Sequence, residues 1–353
     1  MGVLACFSSA PNFVKIILTR RAYKPIKLDS TMHHVRITTP SRLHFSLLDL
    51  NGALGRIDGG FGLAITDPNF QIVAERANTL DVAASVYRDR AYSVLERLQK
   101  IHPFPGIKLT LETEIPMHCG FGSGTQLALG VAQAVNILYE LSLDVQELAK
   151  IVGRGGTSGI GIAAFDTGGF IVDGGHRFPD QKASFLPSSA VGDIPPPPIL
   201  LRYAFPESPM LIVMPNCSRI YGEAEIELFQ TLCPQPEWIA QKLSHILLLQ
   251  ILPALIEGDM SNFGNALNRI QKFGWKRVEI DAQGNELQLT LDFLSTTGAF
   301  GAGVSSWGPA ICVLGEEIGE LKRETEAFLK TLPNGGSCFI TRANNSGAHV
   351  ITD

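Results

Sequence analysis

"IPMHCGFGSGTQLALGVAQAV", residues 115–135, places a glycine-rich loop between two kinds of hydrophobic pattern. Upstream, "IKLTLETEI" (107–115) alternates apolar and polar residues, the period of a strand buried on one face. Downstream, Leu127, Val131, Ala134, Val135 and Leu138 recur at helical spacing. The spacing predicts a strand, a loop and a helix opening directly after the glycines. A helix N-terminus has amides without intrahelical partners and carries the positive end of the peptide dipoles, so this junction suits an anion. Glycine lets the backbone come close to a phosphate, and Ser123, Thr125 and Gln126 add side-chain donors. Gly120, Gly122, Ser123, Gly124, Thr125 and Gln126 are therefore the expected phosphate-binding set. The plainer alternative is an ordinary connection with Ser123 as helix cap. No G-K-[ST] follows, and Gly120, Gly122 and Gly124 have the wrong spacing for a dinucleotide fingerprint.

The chain has 353 residues, 45% hydrophobic and 18% charged, which makes it globular and large enough for two domains. A net charge of −5 gives no general attraction to nucleic acid or an anionic membrane, so a phosphate must be held by local geometry. Six cysteines without a C-x-x-C pair disfavour a zinc site and suit reduced thiols, hence a cytoplasmic location. No run reaches the roughly 20 apolar residues of a membrane helix, and residues 246–256 are expected to be a buried core helix. Residues 1–31 carry five basic residues against Asp29 and lack the apolar stretch of a signal peptide. They are expected to be an extension or a mis-annotated start, with Met32 as the true first residue; a targeting or partner-binding arm is the alternative.

Strands are expected at 35–39, 42–49, 62–65, 70–74, 107–115 and 169–173, with helices near 83–101, 124–141, 144–152 and 157–166. The proline-rich stretch 187–209 resists both helix and central strand and is expected to cross between halves. Beyond it come a strand at 210–214, helices near 220–232, 236–257, 259–272 and 285–297, strand 310–314, helix 316–330, and strands 337–341 and 348–351. Strands and helices mixed without steady alternation indicate an α+β fold.

Three further stretches concentrate polar groups. "PSRLHFSLLDLNGALGRIDGG" (40–60) sets Arg42, His44, Asp49, Arg56 and Asp58 among apolar residues, where a charge is costly unless paired or bound to ligand. Arg42 or Arg56 suits a carboxylate or phosphate, since a planar fork binds two oxygens; a strand with solvated hairpin charges is the alternative. "GRGGTSGIGIAAFDTGGFIVDGGH" (153–176) has nine glycines in 24 positions, implying tight turns or close backbone approach. Asp166 and Asp173 are candidate Mg²⁺ ligands or structural turn residues, and His176 is a candidate acid–base group or a packed ring. "GAFGAGVSSWGP" (298–309) offers Ser305, Ser306 and Trp307 to an aromatic substrate, or is a plain loop. No G-x-S-x-G is present, so a hydrolase is unsupported.

"PMHCGFGSGTQLALG" resembles the phosphate-loop motif of the GHMP superfamily of small-molecule kinases, and "DTGGF" and "GAGVSSWGP" fall where that superfamily has its later motifs. The resemblance implies a two-domain fold over 32–200 and 201–353, an N-terminal ribosomal-protein-S5-like α/β domain and a C-terminal ferredoxin-like α+β domain. The kinases place a catalytic aspartate a short distance before a Gly-Gly pair. Here that place holds Ser158, Gly159, Ile160 and Gly161, none with a carboxylate. With "PSRLHFSLLDLNGALGRIDGGFGLAI" and "SSWGP", the chain resembles the β-ribofuranosylaminobenzene 5′-phosphate synthase family. This resemblance implies that phosphoribosyl diphosphate condenses with 4-hydroxybenzoate or 4-aminobenzoate, losing CO₂ and diphosphate, to give a C-riboside 5′-phosphate in methanopterin biosynthesis. It further implies Mg²⁺ as cofactor, small-molecule substrates only and a homodimer. The expected catalytic residues are Arg42, His44, Arg56, Asp58, Asp166 and His176; the expected substrate-binding residues are Ser41, Thr157, Ser158, Ser305, Ser306 and Trp307. The competing readings are an ATP-dependent GHMP kinase with a relocated aspartate, and a catalytically silent ligand-binding protein.

Overall fold

In a computed structural model describing residues 34–188, 190–191 and 194–352, the glycine loop joins an inner strand of a sheet to the central helix of the molecule. The expected extension 1–31 and start at Met32 lie outside the described residues. The N-terminal half runs β1 (His34–Thr38), β2 (Ser41–Asp49), β3 (Arg56–Ile65), β4 (Gln71–Arg76), β5 (Leu80–Val82), α1 (Arg88–Ile101), β6 (Ile107–Thr113), α2 (Ser123–Leu138), α3 (Val145–Ile151), α4 (Ile160–Asp166), β7 (Phe170–Asp173), β8 (His176–Arg177) and β9 (Ile199–Tyr203). It continues with β10 (Met210–Pro215), α5 (Glu223–Leu232), α6 (Glu237–Ile246), a π turn (Leu247–Ile251), α7 (Leu252–Glu257), α8 (Met260–Ile270), α9 (Gly274–Asp281), α10 (Asn285–Ser295), β11 (Ala299–Val304), β12 (Ile311–Gly315), α11 (Ile318–Leu329), β13 (Gly336–Thr341) and β14 (His349–Thr352).

Three sheets result, ordered β14-β1-β4-β6-β5, β2-β3-β7-β9 and β11-β12-β10-β13, with β8 pairing β3. Helix α2 is sheathed almost completely: apolar residues fill its every face, which only a helix surrounded by protein tolerates. Its mid-helix Gly130 is explained by proximity, since a Cβ there would stand 2.4 Å from Ile72 Cδ1 on β4. Burying each Leu or Val of α2 stabilises the fold by roughly 1.5–3 kcal/mol. The effect anchors the helix whose N-terminus faces the cavity described below.

Most expected elements form within a few residues of their expected ends, and the differences are instructive. The proline-rich stretch contains β9, which pairs with β7 at the edge of its sheet, the one place where prolines are tolerated beside a strand. The glycine–serine stretch at 298–309 contains β11, whose glycines admit α8: a Cβ on Gly301 would stand 2.1 Å from Gly264 O. Helix α9 occupies residues expected to be a connection. The last described strand returns to the first, because β14 pairs with β1, and Ala343 bridges to Ile65. Helix α6, the π turn and α7 form one continuous helix, Glu237–Glu257, of 21 residues with an 18-residue window of mean hydropathy 1.5. By length and composition it is thus long and apolar enough to cross a membrane, contrary to the expectation from the run of residues alone. Ile251, Ala254 and Leu255 pack into the core while Leu248, Leu249 and Ile256 are exposed, so it is half a core helix.

Candidate active site

The loop before α2 lies against the starts of two distant segments. Gly120 (φ +86°) and Gly122 (φ +72°) take the left-handed conformation that glycine adopts without strain. Gly120 O accepts hydrogen bonds from Arg42 Nη1 at 2.6 Å and from Ser305 Oγ at 2.6 Å. A Cβ on Gly120 would meet Ser305 O at 2.3 Å, so the loop is pinned by backbone contact that no other residue type permits. Arg42 N bonds Phe121 O, and Ser306 N bonds His44 O, closing β2 and the segment after β11 around the loop. No side chain caps α2 and its first turn holds no acid, which leaves its N-terminal field open to an anion.

This loop borders a cavity of about 570 Å³, the size of an ordinary small-molecule site. One end is basic. Arg90, Ser93 or Val94, and Arg97 recur on one face of α1, and Arg154 follows α3, all lining the cavity beside Ser123, Gly124 and Thr125. Arg154 is pulled below the usual guanidinium range by burial and by its like-charged neighbours Arg90 and Arg97. Its Nε has no hydrogen-bond partner among the described residues. Three guanidinium groups gathered at a helix N-terminus give this end the character of an anion site.

The other end is aromatic. Trp275 of α9 packs edge-on to Trp307 at 5.7 Å between ring centres and against Phe229 of α5 at 4.2 Å. Tyr221 stacks on His118 at 4.2 Å near the mouth. The lining carboxylates among the described residues, Glu225 and Glu279, belong to these same helices. Glu225 Oε1 accepts from Trp307 Nε1 at 2.8 Å; burial pushes its carboxyl up to about 7 against the opposing pull of that bond and of Arg42. Glu279 is raised by burial and paired with buried Lys276. Arg42 lies between the two ends and is pushed down to about 10 by burial, opposed by Glu279 and Glu225.

The structure brings together Arg42, His44, Gly120, Gly122, Ser123, Gly124, Thr125, Thr157, Ser158, Ser306 and Trp307 around this cavity. His44 is held neutral, well below its ordinary range, by burial and by nearby Arg42 and Lys276. A Cβ on Gly60 would stand 2.9 Å from His44 Nε2, so that nitrogen faces β3. Ser305 acts from behind, its Oγ bridging His44 N and Gly120 O.

Other expected residues are engaged elsewhere. Gln126 does not line the cavity; its Nε2 donates to Gly161 O at 2.8 Å, tying α2 to α4. Ser41 Oγ donates to Pro68 O at 2.5 Å. Arg56 donates to the carbonyls of Gly174 and Gly175 at 2.7 and 2.6 Å. Asp58, His176 and Lys182 form a buried cluster: His176 Nδ1 lies 2.8 Å from Asp58 Oδ2, its Nε2 3.0 Å from Gly155 O, and Lys182 Nζ donates to Asp58 and to Thr157 Oγ1. With both ring nitrogens engaged, His176 has no lone pair directed at the cavity. Asp173 is fully buried and accepts from Ser158 Oγ, Gly159 N and Gly175 N. Asp166 sits at the opposite end of α4 from Ser158, about 10 Å along the helix.

These placements also bear on Mg²⁺. No group of three His, Cys, Asp or Glu able to hold a metal occurs among the described residues, and the Asp173 oxygens are occupied by N–H and O–H donors. The donor set does not fit a protein-held ion. Sequence reasoning missed Arg90, Arg97, Arg154, Tyr221, Glu225, Trp275 and Glu279. Arg90 and Arg97 carried a usable signal, one face of a helix, whereas Glu225 and Glu279 look like any solvated helix charge until the tertiary fold buries them.

Residues 85–169 match the family model described as the GHMP kinases N terminal domain. Among solved structures, a mevalonate kinase from L. major in complex with R-mevalonate superposes with a TM-score of 0.65 over 88% of this chain and 96% of that one, at 17% identity. A homoserine kinase from Cytophaga hutchinsonii gives 0.64 over 92% and 99% at 14% identity. At such identities the likeness establishes the fold alone, an α+β GHMP kinase fold. Sequence relatives are nearer. The β-ribofuranosylphenol 5′-phosphate synthase of Methanothermobacter thermautotrophicus is 39% identical over 89% of this chain and 98% of its own length. That of Archaeoglobus fulgidus is 35% identical over 90% and 99%. Matched over about nine-tenths of its length by these proteins and built on the GHMP kinase fold, the chain belongs to the β-ribofuranosylphenol 5′-phosphate synthase family.

Proposed function

We propose that this enzyme condenses phosphoribosyl diphosphate with 4-hydroxybenzoate, releasing CO₂ and diphosphate and forming a ribofuranosylphenol 5′-phosphate for methanopterin biosynthesis. The single observation that carries the reading is one cavity with a triple-arginine end at a helix N-terminus and an aromatic end opposite. A phosphorylated sugar and a benzoate need those two surroundings side by side. The phenol in the relatives' name favours the hydroxy acceptor over 4-aminobenzoate.

The phosphoribosyl donor lies with its phosphates on the amides of α2 and on Arg90, Arg97 and Arg154, which neutralise charge gathering on departing diphosphate. The acceptor ring lies against the aromatic wall that includes Trp307 and Trp275, its carboxylate towards Arg42. The carbon bearing the carboxylate attacks C1 of the ribose as the bond to diphosphate breaks. Loss of CO₂ then returns its electron pair to the ring and restores aromaticity. Arg42 orients the carboxylate, and its existing bond to Gly120 O limits the strength of that grip, which would otherwise oppose decarboxylation. Any Mg²⁺ would enter on the diphosphate oxygens, the usual manner for this ion, and no step here depends on it. The ATP-dependent kinase reading is less favoured, because among the described residues the phosphate end offers no carboxylate to activate a hydroxyl. We place a homodimer contact on the exposed face of Leu248, Leu249 and Ile256; sedimentation of the Leu249→Glu variant as a monomer would support it, and an unchanged mass would remove it.

Offering the enzyme ATP and phosphoribosyl diphosphate in parallel tests the reaction class. Diphosphate release from the sugar, dependent on 4-hydroxybenzoate, is expected. ADP formation on any small alcohol, without diphosphate release, would overturn the synthase reading.

A further inference from the structure

The synthase chemistry leaves one requirement unassigned. Attack through the ring carbon demands electron release from the para oxygen, and a phenolate releases electrons far better than a phenol. With the acceptor's carboxylate end towards the ribose, its para oxygen points to the aromatic end of the cavity.

One carboxylate waits there. Glu225 lines the cavity, and Trp307 Nε1 donates to its Oε1, with no donor to Oε2 among the described residues. Facing it are Arg42 from β2, Trp307 from the segment after β11, and Glu279 of α9, whose charge is matched by Lys276. The alternatives lack its geometry: His44 Nε2 faces β3, and His176 is enclosed between Asp58 and Gly155.

We propose that Glu225 is the general base that takes the proton from the acceptor's para hydroxyl, an inference that rests on the synthase reading. The O–H pair stays on oxygen as phenolate and pushes through the ring. The ring carbon bonds to C1, and diphosphate departs with the C1–O pair. The resulting dienone loses CO₂, its C–C pair rearomatises the ring as phenolate, and Glu225 returns the proton to oxygen. Protons and electrons balance with no further reactant. A carboxyl raised by burial to about 7 is well matched to this transfer near neutral pH, whereas His44, held far lower, is a poor acceptor of a phenol proton.

The test compares Glu225→Gln and Glu225→Asp with wild type in the release of labelled CO₂, on 4-hydroxybenzoate and on a ring-fluorinated analogue whose phenol is more acidic. Glu225→Gln is expected to lower kcat about 10²-fold or more, leave KM for the sugar unchanged, and abolish the limb of the pH profile near 7. Its deficit should shrink on the fluorinated acceptor, which ionises unaided, and Glu225→Asp should recover part of the rate. Full activity in Glu225→Gln, or an equal deficit on both acceptors with no recovery in Glu225→Asp, would overturn the assignment in folded protein. Absence of CO₂ release from wild type on either acceptor would instead overturn the synthase reading, and this inference with it.

Discussion

The basic end of the cavity sets three arginines around a frame of backbone, glycines and a helix terminus, while the aromatic end is built from side chains of α5, α9 and the segment after β11. The first kind of construction leaves a local signature, since left-handed glycines and an uncapped helix start must be adjacent in sequence. The second does not, because Phe229, Trp275 and Trp307 meet only after the chain has folded. The glycine loop of the basic end stands on the sheathed helix α2 and can be altered only by moving backbone. The aromatic end can change residue by residue, which suits it to setting which acceptor is taken.

The largest effect is expected where backbone is forced to move. Gly120→Ala places a Cβ 2.3 Å from Ser305 O and a side chain at φ +86°. It should lower kcat/KM about 10²-fold or more through misplacement of the phosphate amides, as measured by diphosphate release. A near-normal rate would mean that the basic end tolerates what its geometry forbids. Next, Arg154→Ala removes charge-assisted bonds and should raise KM for the phosphoribosyl donor about 10- to 50-fold, leaving KM for the acceptor unchanged. Equal changes in both constants would break the division of the cavity into two ends.

Trp307→Phe probes the opposite end and should raise KM for the acceptor alone, by about 3- to 10-fold. It also deprives Glu225 of the donor that favours its charged form, so the Glu225 carboxyl rises further above its present value of about 7. The acid limb of the rate profile should move to higher pH, activity at neutrality falling and recovering in mild alkali. An unmoved limb would separate Glu225 from that ionisation.

The smallest effect on turnover is expected at Asp173, which the fold uses as a buried acceptor. Burial raises its carboxyl from the usual 3.8 to about 6. Between those values the folded protein holds a proton that the unfolded chain has released, so stability falls as pH rises through this window. The contribution is full below about 4 and lost above about 6, up to about 3 kcal/mol in all. Asp173→Asn cannot titrate, so wild type's stability relative to the variant should decline from pH 4 to 6 in urea melts, with kcat of the folded variant unchanged. A constant difference would show that Asp173 does not titrate in that window.

Much of the fold was legible because α2, α8 and the strands of the first half carry strong periodicity. Helix α9 was not, since "GWKRVEID" presents charges at spacings that resemble a solvated loop, although Lys276 and Glu279 pair one helical turn apart inside the protein. Of the candidate site, the glycine loop, Arg42, Thr157, Ser158, Ser306 and Trp307 were readable. Asp58 was nominated as a charge among apolar residues, Asp173 and His176 as a metal ligand and an acid–base group in a glycine-rich stretch, yet they satisfy one another, a neighbouring hydroxyl or the backbone. Sequence cannot distinguish a charge buried with partners from one awaiting a ligand, because the partners are supplied by distant segments: Lys182 reaches Asp58 from 124 positions away.

The most direct test of a donor at the basic end and a benzoate at the aromatic end is release of CO₂ from carboxyl-labelled 4-hydroxybenzoate. Release is expected to require phosphoribosyl diphosphate, to equal diphosphate formation mole for mole, and to persist without ATP. Sugar-independent release, or none from folded enzyme with both substrates present, would contradict that arrangement.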